Sequence, residues 1–577
     1  WNPALALSTH LGGKPVWHEA ASAFIPGELP QGMVVAGAAR ARFGLADALA
    51  DGAQAGTEAA ASCGFDGPAP APARAELGEA AAAPLWLPQD AGAGFVDFQN
   101  DVTVDDVTIA HREGFRSVEH LKRYTTLGMA TDQGRTANVT GLAIMATLTG
   151  RGIEQTGTTR LRPPYTPVAI GALAGHDCGR DFRPTRLTPA HDWAVGQGAV
   201  FTEAGAWLRA SHFAREGDVD WQQAASREAL AVRQAVGVCD VSTLGKIEMV
   251  GPDCGALLDR LYINTFSTLP VGRARYGVML REDGLVFDDG TVARLEPERF
   301  VITTTTANAG PVLAHMEFCH QVLWPELDVH FVSVTDRWAQ FSVAGPRSRE
   351  VLAAALDPCF DLSNDAFPYM AAGTAGMLGG VGVRLFRISF SGELAYEIAV
   401  PAGSGDAAMR ALLRAGEAFG ILPYGTEALG CLRIEKGHPA GGELNGQTTA
   451  RDLGLERMMS KRKDFVGRAL AQRPALLAPE RPALVGLCPV DRTRRLRSGA
   501  HFIPVGMAAT IANDQGWVSS VAWSPTLGHC VGLGFLSSGT TRLGETVRAC
   551  DPLRGEDVEV TVVAPCQIDP EGARLRV

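Results

Sequence analysis

The clearest pattern of apolar and polar positions lies in residues 275–289, RYGVMLREDGLVFDD. Two short apolar runs flank an Asp-Gly pair, and this arrangement predicts a β-hairpin closed by a tight turn. The second run ends in adjacent carboxylates, Asp288 and Asp289. Because side chains alternate between the faces of a strand, we expect one acid to face a pocket and the other to face solvent or a neighbouring loop. Taken alone, an acidic pair after a hairpin is also typical of ordinary turn chemistry.

Two other segments repeat one pattern. Residues 250–253 (VGPD) run into the helical pattern GALLDRLY, and residues 343–346 (VAGP) run into RSREVLAAAL. Each reads as a strand, a Gly-Pro pair and a helix, with proline at the first helical position, where its missing N–H costs least. We therefore predict two related α+β subdomains. Between residue 186 and the first of them, the pattern predicts a helix over residues 226–238.

The last hundred residues alternate short apolar runs with turn residues. This spacing predicts a small antiparallel barrel, built from strands at Leu484–Cys488, Gly516–Trp523, Val531–Phe535, Thr546–Ala549 and Val558–Val563.

The first 58 residues end in an apparent strand-to-helix unit. An apolar run over residues 33–36 predicts a short strand, followed by a turn of small residues that begins at Gly37 and by an alanine-rich helix. Small residues in such a turn let the backbone approach a cofactor or a packed helix closely. Residues 59–89 are rich in Ala, Pro and Gly without apolar periodicity, so we predict a linker there.

Residues 90–185 show helical patterns. Thr103 can cap a helix that has Asp105 and Asp106 in its first turn. The polar, glycine-containing loop over residues 125–135 has two interpretations. It is either a plain turn between helices, or a surface on which Thr125 and Thr126 contact a flavin or a partner subunit.

Composition and charge argue against several classes of function for this chain. The chain has 577 residues and a net charge of −11, which argues against a nucleic-acid binder, since a phosphate footprint needs a basic surface. No apolar run is long enough for a membrane span, and no signal peptide is present. Its eleven cysteines are dispersed without a CxxC pair, which argues against a metal site and suits a reducing, cytoplasmic compartment.

From about residue 186 onwards, four motifs resemble the glycine cleavage T-protein family. The first is the hairpin, in which the resemblance assigns Tyr276 to folate binding and makes Asp288 the catalytic carboxylate beside the folate. The second is SFSGELAYEI, in which Glu393 matches the acid of the pterin pocket. Phe390 stands where relatives usually have Tyr, so a hydrogen bond from that ring is lost.

The third motif is CLRIEKG, where the resemblance adds Arg433 to the folate-binding residues, and the fourth is the loop WSPTLG at residues 523–528. Each motif alone also has a structural interpretation. Glu397 reads equally well as a capped or paired surface acid, and Arg433 and Glu435 lie two apart, so they do not share a helix face. The order and spacing of all four motifs favour the functional interpretation.

The upstream segments resemble other modules. Residues 1–58 are similar to the closing segment of reductase-type flavin and nicotinamide domains, but the chain lacks the GxGxxG fingerprint, so most of any NAD site would lie outside it. Residues 90–185 are similar to a bacterioferritin-associated-ferredoxin-like module. A two-iron, two-sulfur cluster needs four thiolates. At the corresponding places this chain has Asp97, Gln99, Met129 and Asp132, so we predict an adaptor without a cluster or any other metal.

This order of modules resembles the alpha subunits of heterotetrameric sarcosine oxidases. The implied fold is α+β and multidomain: a reductase-like tail (1–58), a linker (59–89), a helical adaptor (90–185), a folate-binding domain (186–480) and a C-terminal barrel (481–577). The implied activity is oxidative demethylation of sarcosine, with the one-carbon unit passed to tetrahydrofolate to give 5,10-methylenetetrahydrofolate, glycine and hydrogen peroxide. FAD or FMN would be held by or shared with a flavoprotein beta subunit, and small gamma and delta subunits would complete the assembly.

Three alternatives remain open at this point. The chain could be a free-standing aminomethyltransferase, although its long N-terminal half argues against that. It could serve another N-methyl amine oxidase. It could also be an assembly subunit whose folate pocket has decayed, as the change at Phe390 would allow.

Overall fold

The computed structural model describes residues 2–76, 83–88, 94–159, 168–173, 184–377 and 379–577. Parts of the predicted linker and adaptor therefore lie outside the described residues. The chain divides into two compact units, Trp1–Phe182 and Arg183–Val577. No helix in the described ranges is long and apolar enough to cross a membrane.

Unit 1 begins with a hairpin and a long alanine-rich helix. Residues 33–36 do not pair in any sheet of the described ranges, so the strand predicted there is wrong. Gly37 instead opens a 3₁₀ turn at φ +64° and donates its backbone N–H to Asp51 of the helix at 2.7 Å. The elements are α1 (Ala6–His10), β1 (Pro15–His18), β2 (Ala23–Pro26) and α2 (Leu45–Ser62).

The second part of unit 1 is a small helical bundle. Thr103 caps its first helix as predicted, in a reciprocal pair of hydrogen bonds with Asp106. Apolar side chains such as Val107, Leu121 and Met145 are fully buried between the helices. The elements are β3 (Phe95–Asp97), β4 (Val102–Thr103), α3 (Val104–Arg112), α4 (Val118–Thr125), α5 (Asn138–Thr149), α6 (Ile153–Thr156) and α7 (Ile170–Leu173).

Unit 2 contains two mixed layers of sheet and helix. A five-stranded sheet has the order β12-β8-β11-β10-β9, and a six-stranded sheet has the order β14-β15-β16-β13-β7-β17. The elements up to the second sheet's last strand are α8 (His191–Gly196), β5 (Ala199–Ala204), β6 (Trp207–Phe213), α9 (Trp221–Gln234), β7 (Gly237–Asp240), β8 (Gly245–Val250), α10 (Cys254–Leu261), β9 (Arg273–Leu280), β10 (Val286–Glu296), β11 (Arg299–Thr304), α11 (Ala309–Phe318), β12 (His330–Ser333), β13 (Trp338–Ala344), α12 (Ser348–Ala355), β14 (Ala372–Met377), β15 (Val381–Phe386), β16 (Ala395–Pro401), α13 (Gly405–Gly416) and β17 (Leu422–Pro423).

The repeated strand-Gly-Pro-helix pattern is confirmed, with one correction. β8 leads into α10 and β13 leads into α12, one pair in each sheet. Each proline lies two residues before its helix and not at the first helical position. The preceding glycines are required, because Gly251 (φ +141°) and Gly345 (φ +131°) each pass within 2.5 Å of a backbone oxygen at the place a Cβ would occupy.

A closed barrel ends unit 2, as predicted. Its strand order is β18-β21-β20-β19-β22-β23, and β19 was not predicted from the sequence. The elements are α14 (Thr426–Lys436), α15 (Arg468–Ala471), α16 (Pro474–Leu477), β18 (Pro482–Pro489), β19 (His501–Ile503), β20 (Gly516–Ser524), β21 (His529–Ser537), β22 (Thr546–Asp551) and β23 (Glu556–Val563).

Candidate functional site

The two sheets of unit 2 pack against each other, and the candidate site lies on their facing surfaces. Ala293 and Val301 of the five-stranded sheet share one buried cluster with Phe386 and Ala399 of the six-stranded sheet. Every second residue of the strands in this layer therefore points into the space between the sheets.

A row of polar side chains crosses the inner face of the five-stranded sheet. Lys246 is the register partner of Thr303, whose hydroxyl lies 2.9 Å from that of Thr291. Thr291 is in turn the register partner of Tyr276, and the Tyr276 hydroxyl donates to Asp289 at 2.7 Å. Because register partners point to the same face, these five residues form one polar row across four strands.

Asp289 is the titratable group at the end of this row. Burial raises the pKa of its carboxyl from 3.8 to about 7, and the neighbouring charge of Asp288 adds to that rise. The hydrogen bond from Tyr276 acts in the opposite direction. Burial also raises the pKa of the Tyr276 phenol well above 10. Asp289 can therefore exchange a proton near neutral pH, while Tyr276 stays a hydrogen-bond donor.

Asp288 points to the other face of the sheet, as the alternation of side chains predicts. Its carboxylate accepts hydrogen bonds from the Thr305 hydroxyl (2.6 Å), the Thr305 backbone N–H (3.2 Å) and the Asn308 amide (3.0 Å). Burial raises its pKa, and these donors oppose that rise. The residue is 2% exposed, so the lone pairs of its carboxylate are engaged between the sheet and the start of α11.

The six-stranded sheet supplies a second buried acid. Glu397 on β16 accepts a hydrogen bond from the side-chain amide of Gln340 on β13. Burial raises the pKa of Glu397, while Gln340 and the positive charge of Lys246 lower it. The interpretation of Glu397 as a surface acid is therefore wrong, because the residue is 9% exposed.

Lys246 connects the two sheets electrostatically. Its ammonium donates to the backbone oxygens of Ser242 (2.8 Å) and Leu244 (2.9 Å). Burial lowers its pKa from 10.5 to about 8, against the opposing charges of Glu397, Asp240 and Asp336. Sequence reasoning missed Lys246, although a lone lysine within the apolar run of β8 is an unusual residue for a buried strand.

Glu393 lies in an ion-pair network. Its Oε1 accepts from Arg233 at 2.8 Å and from Arg574 at 2.5 Å. Arg233 also bonds Glu435 of α14 at 2.6 Å, and Glu435 accepts from the Ser524 hydroxyl. Arg233 thus joins α9, α14, the Gly392–Glu393 turn and the WSPTLG loop, a role that no sequence motif indicated.

Arg433 faces the barrel. Its guanidinium bonds Glu443 at 2.8 Å and the Ser520 hydroxyl at 2.6 Å. It lines a cleft of about 320 Å³ with Trp221 and Trp523. In the described ranges no hydrogen bond or ion pair joins any two of the four predicted folate residues.

Phe390 is 38% exposed and stacks on His438, with ring centroids 5.7 Å apart. Burial is the main reason that the pKa of His438 falls to about 4, so this imidazole is neutral at physiological pH. Phe390 therefore contributes an aromatic stack and no hydroxyl at this position.

In unit 1, Asp97 is one of the four residues that the resemblance places where a cluster-binding module would have thiolates. It accepts the backbone N–H groups of Gln99 (2.9 Å), Asn100 (3.3 Å) and Gly128 (2.8 Å), so it ties two loops together. Residues 94–159 contain no cysteine, and this donor set does not fit an iron–sulfur cluster. We refer to these three bonds as the Asp97 clasp.

The two threonines singled out in the sequence lie beside this clasp. Thr125 ends α4, and its hydroxyl donates to Leu121 O at 2.8 Å. Thr126 adopts φ +62°, and its carbonyl accepts from Asn100 at 2.9 Å. All of their described hydrogen bonds lie within unit 1, so a role in flavin or partner contact stays a prediction.

Comparison with known proteins places this geometry in a family. Three family models match: the GCVT N-terminal domain at residues 190–463, the glycine cleavage T-protein C-terminal barrel domain at 483–569, and the sarcosine oxidase A3 domain at 91–176. An aminomethyltransferase of Saccharopolyspora erythraea is 32% identical, and the match covers 66% of this chain and 97% of that protein. The chain belongs to the aminomethyltransferase family.

The fold agrees with the family. A solved glycine cleavage system aminomethyltransferase T from Bartonella henselae superimposes with a TM-score of 0.57 at 23% identity, over 68% of this chain and 99% of that one. The expectation of an α+β chain with a T-protein-like module and a final barrel is confirmed.

Similarity to sarcosine oxidase alpha subunits is also confirmed and extends over the whole chain. Identity is 48% to the alpha subunit of Rhizobium meliloti and 42% to that of Corynebacterium sp. strain P-1, each over 100% of this chain. The chain spans about 60% of the length of these two relatives.

Proposed function

We propose that unit 2 binds a reduced folate between its two sheets and transfers a one-carbon unit to it. One observation carries this proposal: in a chain of the aminomethyltransferase family, a half-buried carboxyl, Asp289, lies on the inner sheet face, is oriented by Tyr276, and has its pKa raised to about 7 by loss of hydration. A carboxyl near neutrality can give or take a proton at physiological pH, as transfer of a carbon unit between nitrogens requires.

The chemistry needs little more than proximity and charge. A reduced folate has a nucleophilic N5 and a weakly basic N10, and transfer to it passes through cationic carbon–nitrogen species. Asp289 in its ionised form would stabilise such a cation. A space closed by two sheets would keep water away from the carbon unit until the nitrogen has reacted.

The geometry supports a different assignment of the two acids in the hairpin. Asp288 was assigned from the family resemblance, but its carboxylate is engaged by Thr305 and Asn308 on the outer face. Asp289 shares the inner face with Tyr276. We therefore propose Asp289 as the catalytic carboxylate and Asp288 as the group that holds the start of α11 against the sheet.

A similar argument applies to the pterin acid. Glu393 is bonded by two arginines. Within the described part of the chain, the only hydrogen-bond donor to the Glu397 carboxylate is the neutral amide of Gln340, and Lys246 lies opposite. A ring that carries several N–H groups is best oriented by an acid that is not already neutralised. We propose that Glu397 orients the pterin ring, and that Glu393 and Arg433 hold the walls of the folate site in place.

For the whole protein, we propose the role of an alpha subunit in a sarcosine oxidase. Sarcosine would be oxidised at a flavin (FAD or FMN) in a beta subunit, gamma and delta subunits would complete the assembly, and NAD would bind mainly outside this chain. The carbon unit would then reach tetrahydrofolate in unit 2. The 48% identity over the full chain to a protein named as such a subunit supports this.

A free-standing aminomethyltransferase is the second candidate. The 97% coverage of the Saccharopolyspora erythraea protein favours it. The match of residues 91–176 to the sarcosine oxidase A3 domain favours the first proposal, since that segment lies outside the transferase module. Co-purification of the chain with a flavoprotein that oxidises sarcosine separates the two, and a chain that purifies alone would favour the second.

Titration calorimetry with tetrahydrofolate tests the site, using the full chain and two matched pairs of variants. We expect binding to the wild-type chain to weaken at least tenfold in Glu397→Gln but not in Glu393→Gln variants that remain folded by circular dichroism. In single-turnover transfer, Asp289→Asn should lose rate while Asp288→Asn keeps it. The reverse order within either pair would contradict our assignment, and absence of binding to the wild-type chain would contradict the proposed function.

A further inference from the structure

A second cavity opens at the edge of the inter-sheet space, beside strand β12. It has a volume of about 450 Å³, large enough for a small organic ligand. Its apolar wall includes Val250, Phe331 and Val332. Its polar wall carries the guanidinium groups of Arg299, Arg337 and Arg384, the carboxylate of Glu248 and the imidazole of His330. We refer to it as the arginine pocket.

The charges of this pocket do not balance. Glu248 is its one acidic lining residue, and both of its oxygens are engaged: Oε1 by Arg299 at 2.5 Å and Oε2 by Arg384 at 2.7 Å. Arg299 also reaches Glu296 at 3.2 Å, outside the lining. The guanidinium of Arg337 has no hydrogen bond or ion pair within the described ranges. Even counting Glu296, three cations face two anions.

Arg384 is the most constrained of the three cations. It is 6% exposed, and its guanidinium carbon lies 4.1 Å from the ring centroid of Trp338, so the planar group is held in one orientation. Of its nitrogens, only Nη2 has a described hydrogen bond. Its pKa is lowered, mainly by burial and in part by the charges of Arg299 and Arg337. A buried guanidinium that feels two like charges would be stabilised by a further anion.

Trp338 contributes an unused donor. Its indole Nε1 is buried and has no hydrogen-bond partner in the described ranges. A buried N–H without a partner is uncommon in folded proteins. The same side chain lines the arginine pocket and stacks under Arg384.

We propose that the arginine pocket binds the phosphate group of a small organic phosphate, with the rest of the molecule against the wall of Val250, Phe331 and Val332. Guanidinium forks match tetrahedral phosphate oxygens through paired hydrogen bonds. The three lining guanidinium groups exceed the one lining carboxylate, Glu248, by two charges, which the dianion of a phosphate monoester would balance. Inorganic phosphate shares this chemistry, so the test must separate the two sources.

This inference is independent of the proposed folate chemistry. Glu248 follows Lys246 by two residues on β8 and so lies on the same sheet face. The two places are therefore adjacent, but the arginine pocket shares no residue with the polar row of Lys246, Thr303, Thr291, Tyr276 and Asp289.

Calorimetric titration of the full chain with inorganic phosphate, adenosine 5′-monophosphate, adenosine and glutarate tests the proposal. We expect both phosphates to bind and adenosine not to bind. A nucleotide at least tenfold tighter than the inorganic ion would identify an organic phosphate as the ligand, whereas equal affinities would overturn the role of the apolar wall. If glutarate binds as tightly as the nucleotide, the choice of phosphate over carboxylate as the ligand group is overturned. If neither phosphate binds, the proposed site is overturned.

The matched variants are Arg337→Gln and Arg410→Gln. Arg337 is exposed, so its substitution should leave the fold intact. We expect about tenfold weaker nucleotide binding in Arg337→Gln, because one charge-assisted contact is lost. Arg410 pairs with Asp406 on α13 and serves as a surface control whose loss should leave binding unchanged. Equal affinities in the two variants would overturn the assignment.

Discussion

Replacing Asp289 with asparagine should stabilise unit 2 at alkaline pH. The pKa of the Asp289 carboxyl is about 7 in the folded protein, against 3.8 for an exposed aspartate. Each pKa unit corresponds to about 1.4 kcal/mol, so the ionised carboxylate costs the folded state about 4 kcal/mol. An asparagine at this position is neutral at every pH and can still accept the hydrogen bond from Tyr276.

The pH dependence has a definite sign. Below about pH 3 the carboxyl is protonated in both the folded and the unfolded chain, so it does not affect the free energy of unfolding. As the pH rises towards 7 the unfolded chain releases its proton first, and the stability of the wild type falls. Above pH 7 the loss is complete. The advantage of Asp289→Asn should therefore be absent at about pH 3 and largest at pH 8.

Differential scanning calorimetry at a series of pH values measures this effect. For a unit of this size, about 4 kcal/mol corresponds to a rise in Tm of roughly 5 °C at pH 8. Asp288→Asn is the control and should lower Tm at pH 8, because an amide would place an N–H against the three donors of Thr305 and Asn308. If Asp289→Asn and the wild type have the same Tm at pH 8, the reasoning about burial of Asp289 is refuted.

Three further substitutions test other parts of the chain. Asp97→Ala should lower the free energy of unfolding of unit 1 by about 2 kcal/mol, because three backbone N–H groups lose their acceptor. Amide hydrogen exchange at Gly128 should become faster, and unchanged exchange there would contradict the role of the Asp97 clasp. Arg233→Met should lower the free energy of unfolding in urea by about 3–5 kcal/mol, since it leaves Glu435 without its ion pair and Glu393 with Arg574 alone. Arg410→Met should lower it by less than about 1 kcal/mol, and similar costs for the two variants would contradict the network. Gly345→Ala should lower the free energy of unfolding by about 2 kcal/mol or more, because residue 345 has φ +131° and an added Cβ would lie 2.5 Å from a backbone oxygen. An unchanged free energy of unfolding in the same assay would show that this turn can relax.

Local patterns predicted most of the elements near the site. The hairpin of β9 and β10 and five of the six barrel strands follow from apolar alternation and turn residues, which are short-range signals. The helix predicted over 226–238 instead spans Trp221–Gln234, and β7 begins at Gly237. Val236 and Val238 continue the apolar pattern, but they are buried as part of the central sheet layer, so tertiary packing overrides the helical period there.

The inward face of the hairpin could not be predicted from the sequence. Alternation shows that Asp288 and Asp289 point opposite ways, but it does not show which of them points inward. That depends on the pairing of Tyr276 with Thr291 and on an irregularity between Val286 and Asp288, both of which are set by the neighbouring strand. Lys246 and Glu397 meet only after two sheets have packed, so no local pattern could reveal their pairing.

In unit 2, the hydrogen-bond partners of an acidic side chain distinguish a carboxylate that holds the fold together from one that we propose to react. Glu228 also has a pKa raised to about 7, but its two oxygens accept the backbone N–H groups of Phe213 and Gly425, so it holds two segments together. Glu393 is bonded by two arginines and has a similar structural role. Among the described residues, Asp289 and Glu397 accept hydrogen bonds from neutral side chains only, Tyr276 and Gln340. Asp289 lies on the inner face of the five-stranded sheet and Glu397 on that of the six-stranded sheet. Burial without full compensation costs stability, and a chain that retains two such acids on facing surfaces is best explained by a ligand that supplies the missing contacts.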